Sequence, residues 1–385
     1  MTFERRDVVV VGGGPAGTSA AAVLARAGVD VLLLEKARHP RPKPCGGLLP
    51  IRTLKEIEHS FGSDVLQGIA TSTSPRGEIR IGEQHLVTAE IDPPFTVIDR
   101  PEFDHALLER ARFFGAEIRE GTRAEIPDTT GEVRAGEDRI RARAVIVAHG
   151  NQSAVSRRLG WGPMPCGIAY VTEVPADTLT REVLDPIVSF LEGASGYAWV
   201  FPRGETANIG AGGDLREQSV LPQITRDWIR RWAPGARAGI RAHHISAGSA
   251  NLVPGRDRVL LTGDAAGLGD PVTGEGIFHA MRSGRIAAEV TIDALRDRLS
   301  ILARSYNRRL FPLILDVKAG KALSPLLYSS RFRRSAWNVL RENPRIADDF
   351  ARLFKGEASY FGFPFSLGRK IFPIALRKVL GRIGR

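Results

Sequence analysis

The chain has 385 residues, 43% of them hydrophobic, with a formal net charge of +11. Two cysteines exclude a disulfide framework and point to a reduced, cytoplasmic setting. No apolar run reaches the ~18 residues a membrane span needs, and the eight histidines show no metal-ligand spacing, so no metal site is expected.

The amino end is not a signal peptide, because its short apolar run enters a glycine turn directly. Asp7 to Val11, DVVVV, suits a buried parallel strand. GGGPAG follows from Gly12 to Gly17, then a small-residue helix pattern to Gly28, then a second strand, VDVLLL, ending at Glu35. This is a dinucleotide-binding βαβ unit. Gly12 makes the tight turn, Gly14 admits a pyrophosphate, and Gly17 lets the helix pack close to the strand. Glu35 stands 21 residues after Gly14, where an acid can bind ribose hydroxyls.

Three later segments choose between nucleotides. Arg100-Pro101-Glu102-Phe103-Asp104 opens a helix, AVIVA from Ala144 to Ala148 is another buried strand, and Val259 to Ala266, VLLTGDAA, runs into a loop with Pro271, Gly274 and Gly276 before a long helix. The order of these motifs over roughly residues 5–300 resembles the flavoprotein monooxygenase superfamily that includes p-hydroxybenzoate hydroxylase. The resemblance implies FAD as cofactor. Asp264 would bind its ribityl or pyrophosphate part, the Pro271–Gly276 loop with Gly274 and Gly276 would lie along the flavin, and Arg100 would reach the cofactor. The helix after that loop would aim its positive end at the isoalloxazine. His149-Gly150 stands where the superfamily carries Asp-Gly in a motif linked to nicotinamide. Both NAD(P)H and a redox partner such as ferredoxin therefore remain open as electron donor.

Residues about 70–98 and 166–250 are strand-like and turn-rich, as an antiparallel sheet over the flavin would be. In GYAWVFP, alternation puts Tyr197, Trp199 and Phe201 on one face, either as core or as the wall of a cavity. The motif resembles the YxWxFP signature of the geranylgeranyl reductase family. KPCGG, Lys43 to Gly47, resembles the segment that follows the second strand in that family. The resemblance implies a catalytic-site role for Cys45, Tyr197 and Trp199, and a substrate-binding role for Gly46, Gly47 and Phe201. A small buried thiol in a loop is the plainer reading of Cys45, and Cys166, with no motif around it, reads as packing.

An isolated isoprenoid alkene needs reduced FAD, an acid near one face and a dry cavity. Cys45, Tyr197 and a bound water are candidate proton donors. The implied function is hydrogenation of C=C bonds in a polyprenyl group on a lipid, quinone, chlorophyll precursor or diphosphate. The alternatives are a flavin monooxygenase or halogenase, or a non-catalytic membrane-associated flavin electron carrier.

From Ala358 onward there are six Arg or Lys and no acid, interspersed with apolar residues. That composition suits an interfacial helix on anionic lipid or a packed helix with a basic face. It does not suit nucleic acid, for which no motif is present. The expected architecture is α/β. A Rossmann-like FAD-binding domain takes residues 1–70, 99–165 and 251–300, and an interleaved antiparallel-sheet substrate domain takes 71–98 and 166–250. A C-terminal helical region, 301–385, would face the inner surface of the membrane, making the protein cytoplasmic and peripheral.

Overall fold

The computed structural model describes residues 3–362 except 152, 162–165 and 182. Its first sheet is built around strand Glu4–Val11, whose last four residues are valines with almost no exposure. β-branched residues on both faces fit a strand covered from both sides. Val31–Glu35 and Asp138–Val147 flank it in parallel, with Val9 opposite both Leu32 and Val145. Glu117–Glu120 extends the sheet beyond Val31–Glu35, and Val259–Leu261 extends it beyond Asp138–Val147. Short antiparallel strands, Gly255–Arg256 and Glu132–Ala135, complete its far side.

Helices Pro15–Arg26 and Ile277–Arg296 lie against each other over this sheet. Small residues permit the close approach. A Cβ on Gly284 would collide with the carbonyl oxygen of Ala16, and one on Gly263 would press on Ala280 at 3.2 Å.

The second sheet has eight strands in the order Arg241–Ser246, Cys166–Pro175, Thr206–Asp214, Gly196–Arg203, Ile187–Phe190, Ala70–Ile81, Gln84–Ile98 and Leu48–Leu49. Its pairings are antiparallel except Ile187–Phe190 with Ala70–Ile81, which is parallel. The sheet is thus antiparallel, as the sequence implied, apart from that one pairing. Ile187 enters alongside Glu78 in the same direction.

Helix Leu302–Tyr328 is 27 residues long, so it runs about 40 Å. Near its start Tyr306 donates to the Leu261 carbonyl of the first sheet at 2.7 Å. At its end Tyr328 donates to the Val272 carbonyl. Helices Arg333–Glu342 and Pro344–Lys355 follow and cover one end of the second sheet, where Phe190 meets Tyr328, Phe350 and Phe354 at ring separations of 5.7–6.0 Å. The basic run from Arg369 to the end and the side chain of Cys166 lie outside the described residues.

Candidate active site

The first site element is the turn after Val11. Gly12 has φ +111°, and a Cβ there would strike the Ala148 carbonyl. A Cβ on Gly17 would collide with the Gly12 carbonyl, so the strand and helix meet backbone to backbone. Gly14 differs: a Cβ there would find only Arg41 Nη2, at 3.7 Å. Gly14 also begins helix Pro15–Arg26 without a side-chain cap and with no acid in the first turn. Free N–H groups, a positive helix end and open space at a glycine fit an anionic pyrophosphate.

Glu35 is buried. Its carboxylate accepts from Gly13 N at 2.6 Å and from Ala37 N at 2.8 Å. It therefore ties the glycine turn to the end of the second strand, and ribose hydroxyls would reach only its remaining lone pairs.

Arg100, also buried, forms a two-pronged pair with Asp104, both bonds at 2.9 Å. Burial opposes its charge, but Asp104 and the neighbouring Cys45 override that and hold the guanidinium above its ordinary value. Asp104 also pairs with Arg41 at 3.3 Å. One buried acid thus holds two arginines, one of them at Gly14.

Asp264 follows strand Val259–Leu261, and its carboxylate accepts no hydrogen bond from the described residues. Loss of water raises its pKa, against the pull of Lys43 and Arg100. Gly276 begins helix Ile277–Arg296 without a side-chain cap, and a Cβ there would find only Asp264 Oδ1, at 3.7 Å. In the first turn Phe278 N is taken by the Glu275 carboxylate at 2.6 Å, so it is the open space at Gly276 and the Asp264 carboxylate, without a hydrogen-bond donor among the described residues, that fit the polar part of FAD.

The Pro271–Gly276 loop is held by three tyrosines from distant segments. Tyr197 donates to the Thr273 carbonyl and Tyr328 to the Val272 carbonyl. Tyr360 donates to Asp270 at 2.7 Å, and Asp270 in turn accepts from Val272 N and Thr273 N at 2.8 and 2.9 Å. Arg52 lies between Asp270 and Glu275, at 3.4 and 3.3 Å. Burial pushes Glu275 up, but His279 and Arg52 outweigh it and hold its carboxyl below the ordinary value. Burial holds the Tyr197 hydroxyl well above its ordinary value, so it stays protonated.

The two motifs that suggested a reductase meet in space. Gly46 lies against the aromatic strand: a Cβ there would be 2.7 Å from the Phe201 ring and 3.3 Å from Trp199 Nε1. Gly47 has φ +82° and accepts from Ile98 N at 2.9 Å, which pins the loop to the second sheet. Cys45, just before them, is half-buried, and its sulfur accepts from Gly47 N at 3.4 Å.

Tyr197, Trp199 and Phe201 form a ladder with ring separations of 5.6 and 6.2 Å. Trp199 is fixed by a 2.7 Å bond from Nε1 to Asn208 Oδ1, and it lies over Gly210, where a Cβ would collide with its ring. Trp199 and Phe201 are buried beneath the loop, whereas Tyr197 reaches a cavity of about 280 Å³ that it shares with Gly274, Pro271 and Val272. A larger cleft of about 460 Å³, between Arg226, Arg230 and Ile240, contains none of these residues.

Several participants owe their place to partners far away in the sequence. Lys43 Nζ contacts His243 Nε2, 200 positions away. Burial, with Arg100 nearby, pulls the Lys43 ammonium down to about 8. Burial and Lys43 pull His243 down to about 3, so it is neutral near pH 7. Asn208, Tyr328 and Tyr360 carried no sequence signal. His149 is held below its ordinary pKa by burial, and its Nε2 is buried with no partner among the described residues.

Residues 5–233 match the family described as FAD binding domain, so the class is that of the FAD-binding flavoproteins. The geranylgeranyl diphosphate reductase of Rhodobacter capsulatus is 33% identical over 75% of this chain and 76% of its own. A digeranylgeranylglycerophospholipid reductase of Methanopyrus kandleri is 33% identical over 76% of this chain and 81% of its own. Among solved structures, a geranylgeranyl bacteriochlorophyll reductase-like protein from Thermoplasma acidophilum superposes with a TM-score of 0.75. That match has 23% identity and covers 89% of this chain and 93% of the other. The chain belongs to the geranylgeranyl reductase family and is a flavin-dependent oxidoreductase.

Proposed function

We propose that the protein hydrogenates carbon–carbon double bonds of a polyprenyl group. The observation that carries this reading is the seating of the Cys45–Gly47 loop on the Trp199–Phe201 ladder, beside the residues that fit FAD. Bound and reduced, FAD supplies the hydride. Gly12, Gly14, Gly17 and Glu35 would hold its nucleotide end, with Arg41, Arg100 and Asp264 around the polar linker and Gly274 and Gly276 beside the ring.

The protein's own task is to place the alkene, exclude water and deliver a proton. Tyr197 is the first candidate for holding that proton: its hydroxyl is protonated and anchored to Thr273, and its side chain lines the cavity. Cys45 is the second candidate for that role. Trp199 and Phe201 give the Cys45–Gly47 loop a rigid apolar bed, which keeps this side of the site dry.

Electrons come from NAD(P)H or from a ferredoxin-type partner. His149 in place of an acid favours the partner protein. The chain divides into an FAD-binding part, residues 1–70, 99–165 and 251–300, and a substrate part, residues 71–98 and 166–250. This division is supported by the strands of the two sheets, except that Leu48–Leu49 joins the second. The protein works peripherally at the inner face of the membrane, where polyprenyl lipids reside. Mass spectrometry of total membrane lipids from a deletion strain tests the reading. Polyprenyl species two hydrogens lighter per lost reduction are expected, and an unchanged lipid profile would overturn it.

A further inference from the structure

We propose that the outward face of helix Leu302–Tyr328 docks on an anionic lipid bilayer and so sets the cavity against the membrane. The proposal rests on the lipid-reductase reading for its purpose, but on separate observations for its location.

Phe311, Leu315 and Leu326 are 45, 36 and 43% exposed, and Pro312 is exposed with them. Exposed Arg304, Arg308 and Lys318 continue the same stripe: positions 304, 308, 311, 315 and 318 follow at steps of three and four, and 326 lies eight residues further on the same face. The single acid of this helix, Asp316, is turned off the stripe and accepts from Phe361 N at 3.1 Å. Arg309 also points away and pairs with Glu289 at 2.5 Å. An apolar strip bracketed by cations and free of acids is the pattern of a helix lying in a bilayer interface.

Charge selects the occupant. Residues 299–385 carry eighteen Lys or Arg against five Asp or Glu, whereas residues 1–298 carry thirty-six against thirty-eight. The positive excess of the whole chain therefore lies in the sequence after residue 298, and its described part, residues 299–362, carries twelve Lys or Arg against five Asp or Glu. A second copy docking here would bring like charges together, and the last residues of the chain, basic and without acids from Ala358 on, are repelled in the same way. An anionic surface complements all of them.

The same helix also reaches the candidate site. Lys321, Ser324, Pro325 and Tyr328 line the cavity that holds Tyr197 and Gly274. Docking along this helix would therefore hold the cavity near the bilayer surface.

The test uses the full, FAD-loaded chain and sedimentation with phosphatidylcholine vesicles, with and without phosphatidylglycerol. One variant is Phe311→Ser with Leu315→Ser, and a second is Arg308→Glu with Lys318→Glu. The unaltered chain should bind the anionic vesicles, and added salt should weaken that binding. Each variant should bind at least about tenfold more weakly, with unchanged flavin content and an unchanged rate on a detergent-dispersed polyprenyl substrate. Equal vesicle binding by both variants and the unaltered chain would overturn the proposal. So would variants that change only the oligomeric state in gel filtration. If the unaltered chain fails on the detergent-dispersed substrate, the reductase reading falls, and the vesicle arm still decides the docking face.

Discussion

Gly46 has room for a hydrogen and little more, because Phe201 lies where its side chain would begin. The packing reason for a glycine in the Cys45–Gly47 loop is thus a ring supplied from 155 residues away. The contact between Lys43 and His243 is equally long-range, and it makes a pH prediction. His243 titrates at about 3 in the folded protein, against an ordinary 6.5. The unfolded chain therefore takes up this proton first as pH falls, and stability is lost between about pH 6.5 and pH 3. Replacing His243 by Gln removes that contribution. Thermal melts at about pH 7 and pH 4 should show a smaller acid-induced fall in Tm for His243→Gln than for the unaltered chain. An equal fall would mean that His243 is not held neutral by its surroundings.

Among the elements, the Pro271–Gly276 loop depends most on its neighbours. Its conformation is imposed by hydroxyls from the aromatic strand, from the end of the long helix and from the segment after the last described helix. Tyr360 is the most remote of these in sequence, and its bond goes to the charged carboxylate of Asp270. Hydrogen bonds to charged groups contribute about 1.5–3 kcal/mol, and both groups here are buried. Tyr360→Phe should lower unfolding stability by about that amount and weaken FAD binding, measured by denaturant titration and by flavin release. Unaltered stability and flavin affinity would show that Asp270 holds the loop without help.

At the scale of the whole molecule, the first sheet was legible because its strands are short continuous apolar runs that end in glycine turns. Val8–Val11, Val31–Leu34 and Val145–Val147 declare themselves by composition. The second sheet was legible as strand-rich, but not in its order, since the parallel pairing of Ile187 with Glu78 depends on how a loop returns. The glycine turn, the Cys45 loop and the aromatic strand were readable from local spacing. Their partners were not. Arg41 on Asp104, Asn208 under Trp199 and Tyr360 on Asp270 are contacts between distant segments, placed only by the fold. The apolar face of helix Leu302–Tyr328 was hidden for a related reason: apolar and basic residues occur all round this helix, and only burial shows which of them face outward. The account as a whole stands on a flavin facing an apolar cavity in which an alkene is hydrogenated. Its most direct measurement is turnover by the purified, chemically reduced protein with a detergent-dispersed geranylgeranyl substrate under strict exclusion of oxygen. Mass spectrometry should find two hydrogens added per double bond. Substrate left unchanged until oxygen is admitted, then recovered with added oxygen or halogen, would contradict it.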